Sequence, residues 1–294
     1  MSERIWQLAI VGAGPAGIAA AVEAARVGVD PLLLDARGLA GGTIRIAHEV
    51  RNVPFVADRV GGAHVALQLA AYLARWGLLP VPALVDRVRD ADGHLLVQAG
   101  SMAWWARMVL VATGTQALHP SVPGLGEAFA PPWYASAEQA CEQRVPDRCV
   151  VVGGSDVAMD QARWLRARGC EVTVLHRGEA LRAPQWLVDA AREEGVLLRP
   201  GASILRAERS ATGARLHVRA ADHMVTMDAD ALVAAIGRAP AWPNGVKELV
   251  HSGDPRVAVA GDAKGHRARH VVAALGDGCV VATGLLGQSN GDRA

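Results

Sequence analysis

The N-terminal segment combines two apolar runs and a helical stretch in the order of a parallel β-α-β unit. Ile5 to Val11 and Val29 to Leu34 are continuous apolar runs, and Ile18 to Val27 between them is an Ala-rich helical stretch. Continuous apolar runs are typical of strands buried on both faces of a parallel sheet, because a half-exposed strand would alternate with polar residues. The glycines between the first run and the helical stretch supply the tight turn that such a unit needs.

The same order of elements begins again near the middle of the chain. Val150 to Val152 is an apolar run, Gly153 and Gly154 follow it, Asp156 to Arg168 is helical in composition, and Glu171 to Leu175 is the next apolar run. Two such units in one chain predict an α/β fold with two Rossmann-like dinucleotide-binding domains of the three-layer ββα type.

Turn-rich stretches on both sides of the second unit predict where the chain passes between the domains. Leu118 to Pro132 is rich in proline and glycine and is interpreted as a linker, and Gly237 to Pro240 is a second turn-rich stretch. We therefore expect a second domain, residues 117–241, to be inserted into a discontinuous first domain, residues 1–116 and 242–294.

Composition changes this picture only by excluding other classes of protein. The chain of 294 residues has a formal net charge of +1, so it lacks the overall basic charge typical of nucleic-acid binding. No apolar run approaches the length of about 20 residues that spans a membrane. The four cysteines have no paired spacing, which favours a reducing, cytoplasmic location, and the histidines show no metal-ligand spacing.

The first glycine turn has the chemistry of a dinucleotide site. Gly12 permits the tight turn, Gly14 lets the backbone approach a pyrophosphate, and Gly17 lets the helix pack closely on the strand. The N–H groups at the start of the helix would then bind the phosphates. Asp35 ends the second strand, about 20 residues further on, where an acid binds the ribose hydroxyls.

Several motifs together resemble the low-molecular-weight thioredoxin reductases, the class II pyridine nucleotide-disulfide oxidoreductases, over nearly the whole chain. The second glycine turn and the pair His176-Arg177 contribute to this resemblance. The other motifs, in the family order, are Gly12 to Gly17, Gly41 to Thr43, Glu49 to Pro54, Ala112 to Gly114, and Gly261 to Ala263. The resemblance implies an FAD-dependent oxidoreductase and a homodimer, with FAD in the first domain and NAD(P) in the second.

The resemblance also implies which residues bind FAD. Asp262 would bond the ribityl or pyrophosphate region, and the backbone of Ala263 would approach the isoalloxazine. His270 stands where the family has Gln, which leaves the contact at that position open. The implied FAD-binding residues are Gly12, Gly14, Pro15, Ala16, Gly17, Asp35, Gly41, Gly42, Thr43, Asn52, Ala112, Thr113, Gly114, Gly261, Asp262, Ala263, Arg269 and His270.

The second glycine turn departs from the usual pattern, because Ser155 replaces the middle glycine. His176 and Arg177 stand where an acid would repel a 2′-phosphate, and with Arg182 they favour NADPH over NADH. Gly178 replaces a second Arg of the family pattern, so a vestigial site that binds neither nucleotide stays open. The implied NAD(P)-binding residues are Gly153, Gly154, Ser155, Val157, His176, Arg177, Arg182, Ile236 and Gly237.

The resemblance fails at the redox-active dithiol. In thioredoxin reductases a Cys-x-x-Cys precedes the second glycine turn, and the corresponding window here is Ser136-Ala137-Glu138-Gln139. Cys141 and Cys149 are expected to be inert, since a thiolate nucleophile needs access and a lowered pKa. We therefore assign no catalytic side chain, because the flavin carries the chemistry.

Three functional hypotheses follow. The first is an NADPH-dependent FAD oxidoreductase that passes electrons from the reduced flavin directly to a small acceptor or to a redox protein such as a ferredoxin. The second is a flavin-dependent oxidase or dehydrogenase of a small thiol or amine, with a degenerate second site. The third is a non-catalytic flavin-binding subunit of a complex.

Overall fold

The computed structural model describes residues 4–288 except 55, 132, 212, 222 and 267. The strands of this part of the chain are β1 (Ile5–Val11), β2 (Leu32–Asp35), β3 (Val81–Pro82), β4 (Arg87–Ala91), β5 (His94–Ala99), β6 (Met102–Val111), β7 (Thr115–Ala117), β8 (Arg148–Val152), β9 (Glu171–His176), β10 (Leu197–Pro200), β11 (Ala202–Ser210), β12 (Gly213–Ala220), β13 (His223–Ala229), β14 (Ala231–Ala234), β15 (Arg238–Pro240) and β16 (Val257–Val259). The helices are α1 (Pro15–Arg26), α2 (Gly62–Ala74), α3 (Leu125–Ala128), α4 (Ala137–Ala140), α5 (Asp156–Arg166), α6 (Gln185–Glu193), α7 (Val246–His251) and α8 (Val271–Gln288), with 3-10 turns at Gly42–Ile46 and Gly261–Lys264.

The chain divides into two compact units. Unit 1 consists of Met1–Arg45, Val50–Gln116 and Ala239–Ala294, and unit 2 consists of Ile46–Glu49 and Ala117–Arg238. The assignment of the FAD domain to 1–116 with 242–294, and of the NAD(P) domain to 117–241, stays a prediction.

Unit 1 is built on a seven-stranded sheet with β1 at its centre. β1 pairs in parallel with β2 on one side and with the long strand β6 on the other. The first part of β6 pairs antiparallel with β5, and its last three residues pair in parallel with β16. The parallel strands therefore end together at Val11, Val111 and Val259, and the residues that follow them share one edge of the sheet.

Both faces of this sheet are buried, which explains the continuous apolar runs. One face packs against α1 and α8 through residues such as Ile10, Ile18 and Leu285. The other face forms a second apolar cluster, in which Val88 of β4 and Val97 of β5 pack together with Val246 of α7. Helix α1 begins at Pro15, earlier than the predicted Ile18, because proline is well suited to a first helical position that needs no N–H donor.

Unit 2 has a four-stranded parallel sheet in the order β10-β9-β8-β14 and a three-stranded antiparallel sheet, β11-β12-β13. Helices α4, α5 and α6 cover one face of the parallel sheet. The other face packs against the antiparallel sheet through residues such as Val150, Leu175 and Leu216. These layers place Gly153 and Gly154 directly after β8, at the carboxyl edge of the parallel sheet.

The interpretation of Leu118 to Pro132 as a linker is wrong. Leu125 and Phe129 are buried in the core of unit 2, and Leu125 opens the short helix α3. Gly124 has φ +76, and a Cβ there would lie 2.0 Å from Ala207 O. The prolines and glycines shape a packed loop, and its two large apolar side chains were the signal against a linker.

None of the described helices is both long enough and apolar enough to cross a membrane.

Candidate functional site

The first glycine turn cannot carry side chains at two of its three glycines. Gly12 has φ +106, and a Cβ there would lie 2.4 Å from Ala112 O. A Cβ on Gly17 would lie 1.8 Å from Gly12 O, which brings α1 into close contact with the turn. Gly14 differs, since its conformation is extended and the nearest atom to an added Cβ is Gly42 Cα at 3.9 Å. The backbone is therefore accessible at the position where a pyrophosphate would approach.

Asp35 lies beside this turn. Its Oδ2 accepts a hydrogen bond from Ala13 N–H at 3.0 Å, and its Oδ1 accepts one from Arg37 N–H at 3.0 Å. Leu39 N–H donates a third, longer bond to Oδ1 at 3.5 Å, and since a carboxylate has about four acceptor positions, capacity for a ribose hydroxyl is left. The acid is thus held at the turn, as the sequence predicts for a ribose-binding group.

The Gly41-Gly42-Thr43 segment packs against the same turn. Gly41 N–H donates to Ala13 O at 2.8 Å. A Cβ on Gly42 would lie 2.9 Å from Gly14 Cα and 3.9 Å from Pro15 Cδ. Thr43 follows in the 3-10 turn Gly42–Ile46. The structure therefore brings this predicted segment together with the first glycine turn.

The segment after β16 lies at the start of α1. Gly261 has φ +66, and a Cβ there would lie 2.7 Å from the Cβ of Ala16. Gly261 N–H donates to Asp277 Oδ2 at 2.7 Å, and Ala263 is fully buried. The 3-10 turn Gly261–Lys264, here called the 261–264 turn, is therefore in contact with the dinucleotide motif.

Two exposed polar side chains meet near the start of α8. Asn52 Nδ2 and His270 Nδ1 are 3.2 Å apart, and His270 O accepts from Ala274 N–H in the first turn of the helix. Arg269 Nε donates to His266 O at 3.3 Å. His270 therefore pairs with another predicted FAD-binding residue, a contact that the sequence left open.

Thr113 supplies a test of whether these residues fit a bound group. Among the described residues, Thr113 Oγ1 is the buried side-chain oxygen for which the structure gives no hydrogen-bond partner. Ala112 packs on Gly12, and Gly114 O accepts from Ala241 N–H at 3.1 Å. Buried polar groups almost always have partners, so an unpaired hydroxyl beside an open glycine turn fits a ligand such as FAD.

The second glycine turn reproduces the first with different neighbours. Gly153 N–H donates to Leu175 O at 2.9 Å, and a Cβ on Gly153 would lie 2.4 Å from Ala235 O. Ser155 precedes α5 with φ −93 and ψ 175, and its side chain makes no capping hydrogen bond. This backbone is extended, so the serine that replaces glycine fits without strain.

His176 lies over the second turn. A Cβ on Gly154 would lie 2.5 Å from the His176 ring, and the ring's Nε2 lies 3.1 Å from Ala180 O. Gly154 O also accepts from Arg182 N–H at 2.6 Å. The loop after β9 is thereby folded onto the turn, with the side chains of Arg177 and Arg182 exposed.

The remaining predicted NAD(P) residues lie in α5 and after β14, the strand that pairs in parallel with β8 next to the second turn. Val157, in the first turn of α5, is 47% exposed, and Ile236, after β14, is 36% exposed. Gly237 has φ +129, and its carbonyl accepts from Leu118 N–H at 3.0 Å. Exposed apolar side chains near a glycine turn are compatible with contact to a planar ring.

The residues of the Ser136–Gln139 window, which replaces the dithiol, form hydrogen bonds with one another and with neighbouring residues. Ser136 is 4% exposed and caps α4 by accepting from Gln139 N–H at 3.3 Å. Gln139 Oε1 in turn accepts from Ala135 N–H, and the buried Gln161 accepts from Ala137 N–H. These contacts give the window a structural role.

A buried polar cluster on α5 was missed by sequence reasoning. Asp160 accepts from His48 N–H at 2.8 Å and from Glu49 N–H at 3.1 Å, and burial raises the pKa of its carboxyl. Arg163, with 8% of its side chain exposed, forms ion pairs with Glu49 and with Glu194. Charged residues inside a helix were the only available signal, and they usually indicate a solvated face.

The cysteines offer no accessible thiolate in unit 2. Cys149 and Cys170 are buried, Cys141 is half-buried, and burial raises the pKa of the Cys141 thiol. In the part of the chain that the structure describes, no group of three or more His, Cys, Asp or Glu side chains could hold a metal ion.

Comparison with known proteins identifies the family that has this arrangement of two turns. A profile of the family described as "Pyridine nucleotide-disulphide oxidoreductase" matches residues 6–288. The chain belongs to this family. Thioredoxin reductase of Listeria monocytogenes is 29% identical over 306 residues, which cover 98% of this chain and 93% of the relative.

Solved structures confirm the fold of this oxidoreductase. Thioredoxin reductase from T. acidophilum matches with a TM-score of 0.84 at 22% identity, covering 98% of this chain and 99% of that one. Bacillithiol disulfide reductase from Staphylococcus aureus matches with a TM-score of 0.75 at 18% identity, covering 97% and 99%. These structures confirm the predicted α/β fold with two Rossmann-like domains. The family match and the relatives confirm the thioredoxin reductase resemblance and the assignment as an FAD-dependent oxidoreductase.

Proposed function

We propose that this protein oxidises NADPH and passes the electrons from its flavin directly to a small acceptor or a redox protein. The observation that carries the proposal is the pairing of two dinucleotide turns with a window at Ser136–Gln139 that holds no thiol. Two nucleotide sites support transfer between nicotinamide and flavin. Because that window holds no dithiol, electrons would pass from the flavin to the acceptor without a thiol intermediate at that position.

Residues of unit 1 would hold FAD. The N–H groups at the start of α1 would bind the pyrophosphate, Asp35 the ribose, and Thr113 Oγ1 would gain a partner. FAD supplies the hydride and electron chemistry when bound, and the protein orients it and excludes water.

Residues of unit 2 would hold NADPH. The N-terminus of α5 would bind the pyrophosphate, and Arg177 and Arg182 would form charge-assisted bonds with the 2′-phosphate. No acidic side chain stands at the end of β9, where it would repel that phosphate. This arrangement supports NADPH rather than NADH as the donor.

The test is anaerobic stopped-flow titration of the FAD-loaded protein with NADPH and with NADH. We expect NADPH to bleach the visible flavin absorbance faster than NADH does. A flavin that neither nucleotide bleaches would refute the proposal. A panel of ferredoxin, thioredoxin and small disulfides, bacillithiol disulfide among them, would then identify the class of acceptor by the rate at which the colour returns.

A second candidate function rests on the position of the His176 ring over Gly154 and on Ser155. If these residues prevent nucleotide binding, the protein is a flavin-dependent oxidase or dehydrogenase of a small thiol or amine. Bleaching by such a substrate, without any response to nicotinamide, would select this function.

Cellular location and assembly follow the family resemblance. We propose a cytoplasmic homodimer, and light scattering of the FAD-loaded protein at micromolar concentration would distinguish a dimer from a monomer.

A further inference from the structure

The 261–264 turn is held at its start by an acidic side chain. Asp277 of α8 accepts from Gly261 N–H at 2.7 Å and from Lys264 Nζ at 2.6 Å. Because Gly261 also packs on Ala16, the beginning of the turn is located against the first glycine motif. These contacts do not involve the carbonyl of Ala263, which bonds to another group.

Trp242 provides that second attachment. Its indole Nε1–H donates to Ala263 O at 2.7 Å, a short bond for an N–H donor. Ala263 is fully buried, so its carbonyl would otherwise lie in the interior without this donor. A buried acceptor that loses its hydrogen-bond partner costs free energy, so the turn would shift to regain one.

Trp242 is itself held in place by the packing of its ring and by the backbone of the residue before it. Its ring packs against the core cluster of unit 1 that contains Val88, Val97 and Val246. The preceding residue, Ala241, donates its N–H to Gly114 O at 3.1 Å, next to the unpaired hydroxyl of Thr113. Trp242 thus connects the segment after β6 with the 261–264 turn, two of the segments predicted to line the flavin.

We propose that Trp242 is a positioning residue for the flavin, which holds the Asp262–Ala263 backbone in place and thereby stabilises the reduced cofactor. This inference rests on the proposed function, since it requires FAD in unit 1. Its physical basis is that the indole N–H holds a partial positive charge beside Ala263 O, which offsets the negative potential of that oxygen. Without the donor this negative potential is uncompensated, which disfavours the extra electron density of a reduced flavin.

The test compares Trp242→Phe with Trp104→Phe in the FAD-loaded protein. Phe keeps an aromatic ring in the core and removes the N–H donor. Trp104 is a matched control, because it packs partly buried against the same core cluster but lies on the first half of β6, away from the edge where the glycine turn follows β1. The flavin midpoint potential, measured by dye equilibration, and the dissociation constant of FAD are the readouts.

We expect Trp242→Phe to lower the midpoint potential and to weaken FAD binding about fivefold, the equivalent of one hydrogen bond. Trp104→Phe should change neither. A Trp242→Phe protein with the wild-type potential would overturn the inference. If wild-type protein itself bound no FAD, or bound FAD that no nicotinamide reduced, the proposed function would fail instead.

A second replacement covers the case in which Trp242→Phe folds but retains no flavin. Benzothienylalanine incorporated at position 242 has sulfur in place of the indole N–H and keeps the size of both rings. A lowered potential in this protein supports the proposal, and an unchanged potential rejects it.

Discussion

The two glycine turns have the same backbone conformation at their middle position and differ in the side chains that surround it. Gly14 has φ −74 and ψ −179, and Ser155 has φ −93 and ψ 175, so both positions are extended. The first turn faces the carboxylate of Asp35, whereas the second lies under the imidazole of His176. An extended backbone therefore accepts glycine in one turn and serine in the other, and the two turns differ in the side chain beside them, a carboxylate in the first and an imidazole in the second.

The helices after the two turns also approach them differently. Gly17 of α1 has no room for a methyl group, since a Cβ would lie 1.8 Å from Gly12 O. The second turn already has a Cβ at the matching position, because Ala158 packs there, and a Cβ on Gly153 would lie 3.1 Å from it. The first turn is therefore the more tightly packed of the two.

Gly17→Ala should have the largest effect of the variants considered. The added methyl would push α1 away from the turn and remove the pyrophosphate site, so we expect purified protein without FAD that fails to take it up on reconstitution. The flavin-to-protein absorbance ratio measures this. Gly276→Ala in α8, where an added Cβ meets nothing within 4 Å, is the control and should keep its FAD. A Gly17→Ala protein with stoichiometric flavin would show that the tight packing is not needed for binding.

Arg177→Ala should have an intermediate effect confined to the second turn. Loss of a charge-assisted bond to the 2′-phosphate should lower kcat/KM for NADPH by about 10-fold or more and leave NADH unaffected. Steady-state rates with an artificial acceptor give both values. Arg199→Ala, an exposed arginine on the neighbouring strand β10, should change neither rate. Equal losses for both nucleotides would assign Arg177 to another role.

Ser155→Gly should have the smallest effect. The extended conformation at Ser155 does not require glycine, so restoring the usual residue should change NADPH affinity by less than about threefold. Isothermal titration with the oxidised nucleotide avoids turnover during the measurement. A tenfold gain in affinity would mean that the serine side chain obstructs the pyrophosphate, and it would favour the function with a degenerate second site.

Local patterns in the sequence predicted the elements that frame both turns. The apolar run of β1, the glycines after it and Asp35 lie within one β-α-β unit, so their arrangement follows from strand, turn and helix geometry alone. The family resemblance then added Gly41 to Thr43 and Gly261 to Ala263, which the structure packs against the first turn.

Contacts between distant segments could not be predicted in this way. Asn52 meets His270, Trp242 meets Ala263, and Asp160 binds the backbone of His48 and Glu49. Each depends on how separate elements pack, and none has a periodic or spaced motif in the sequence. The linker prediction for Leu118 to Pro132 failed for a different reason. Abundant proline and glycine indicated a linker, although Leu125 and Phe129 are apolar side chains that pack in the core.

The contact between α1 and α8 has a consequence for how the protein is made. A Cβ on Gly278 would lie 2.1 Å from Ala16 O, so α8 touches the backbone of α1. Translation delivers β1 and α1 well before β16, the 261–264 turn and α8. The proposed flavin site is therefore completed only after α8 has left the ribosome, and nascent or truncated chains without α8 should be unable to retain the cofactor.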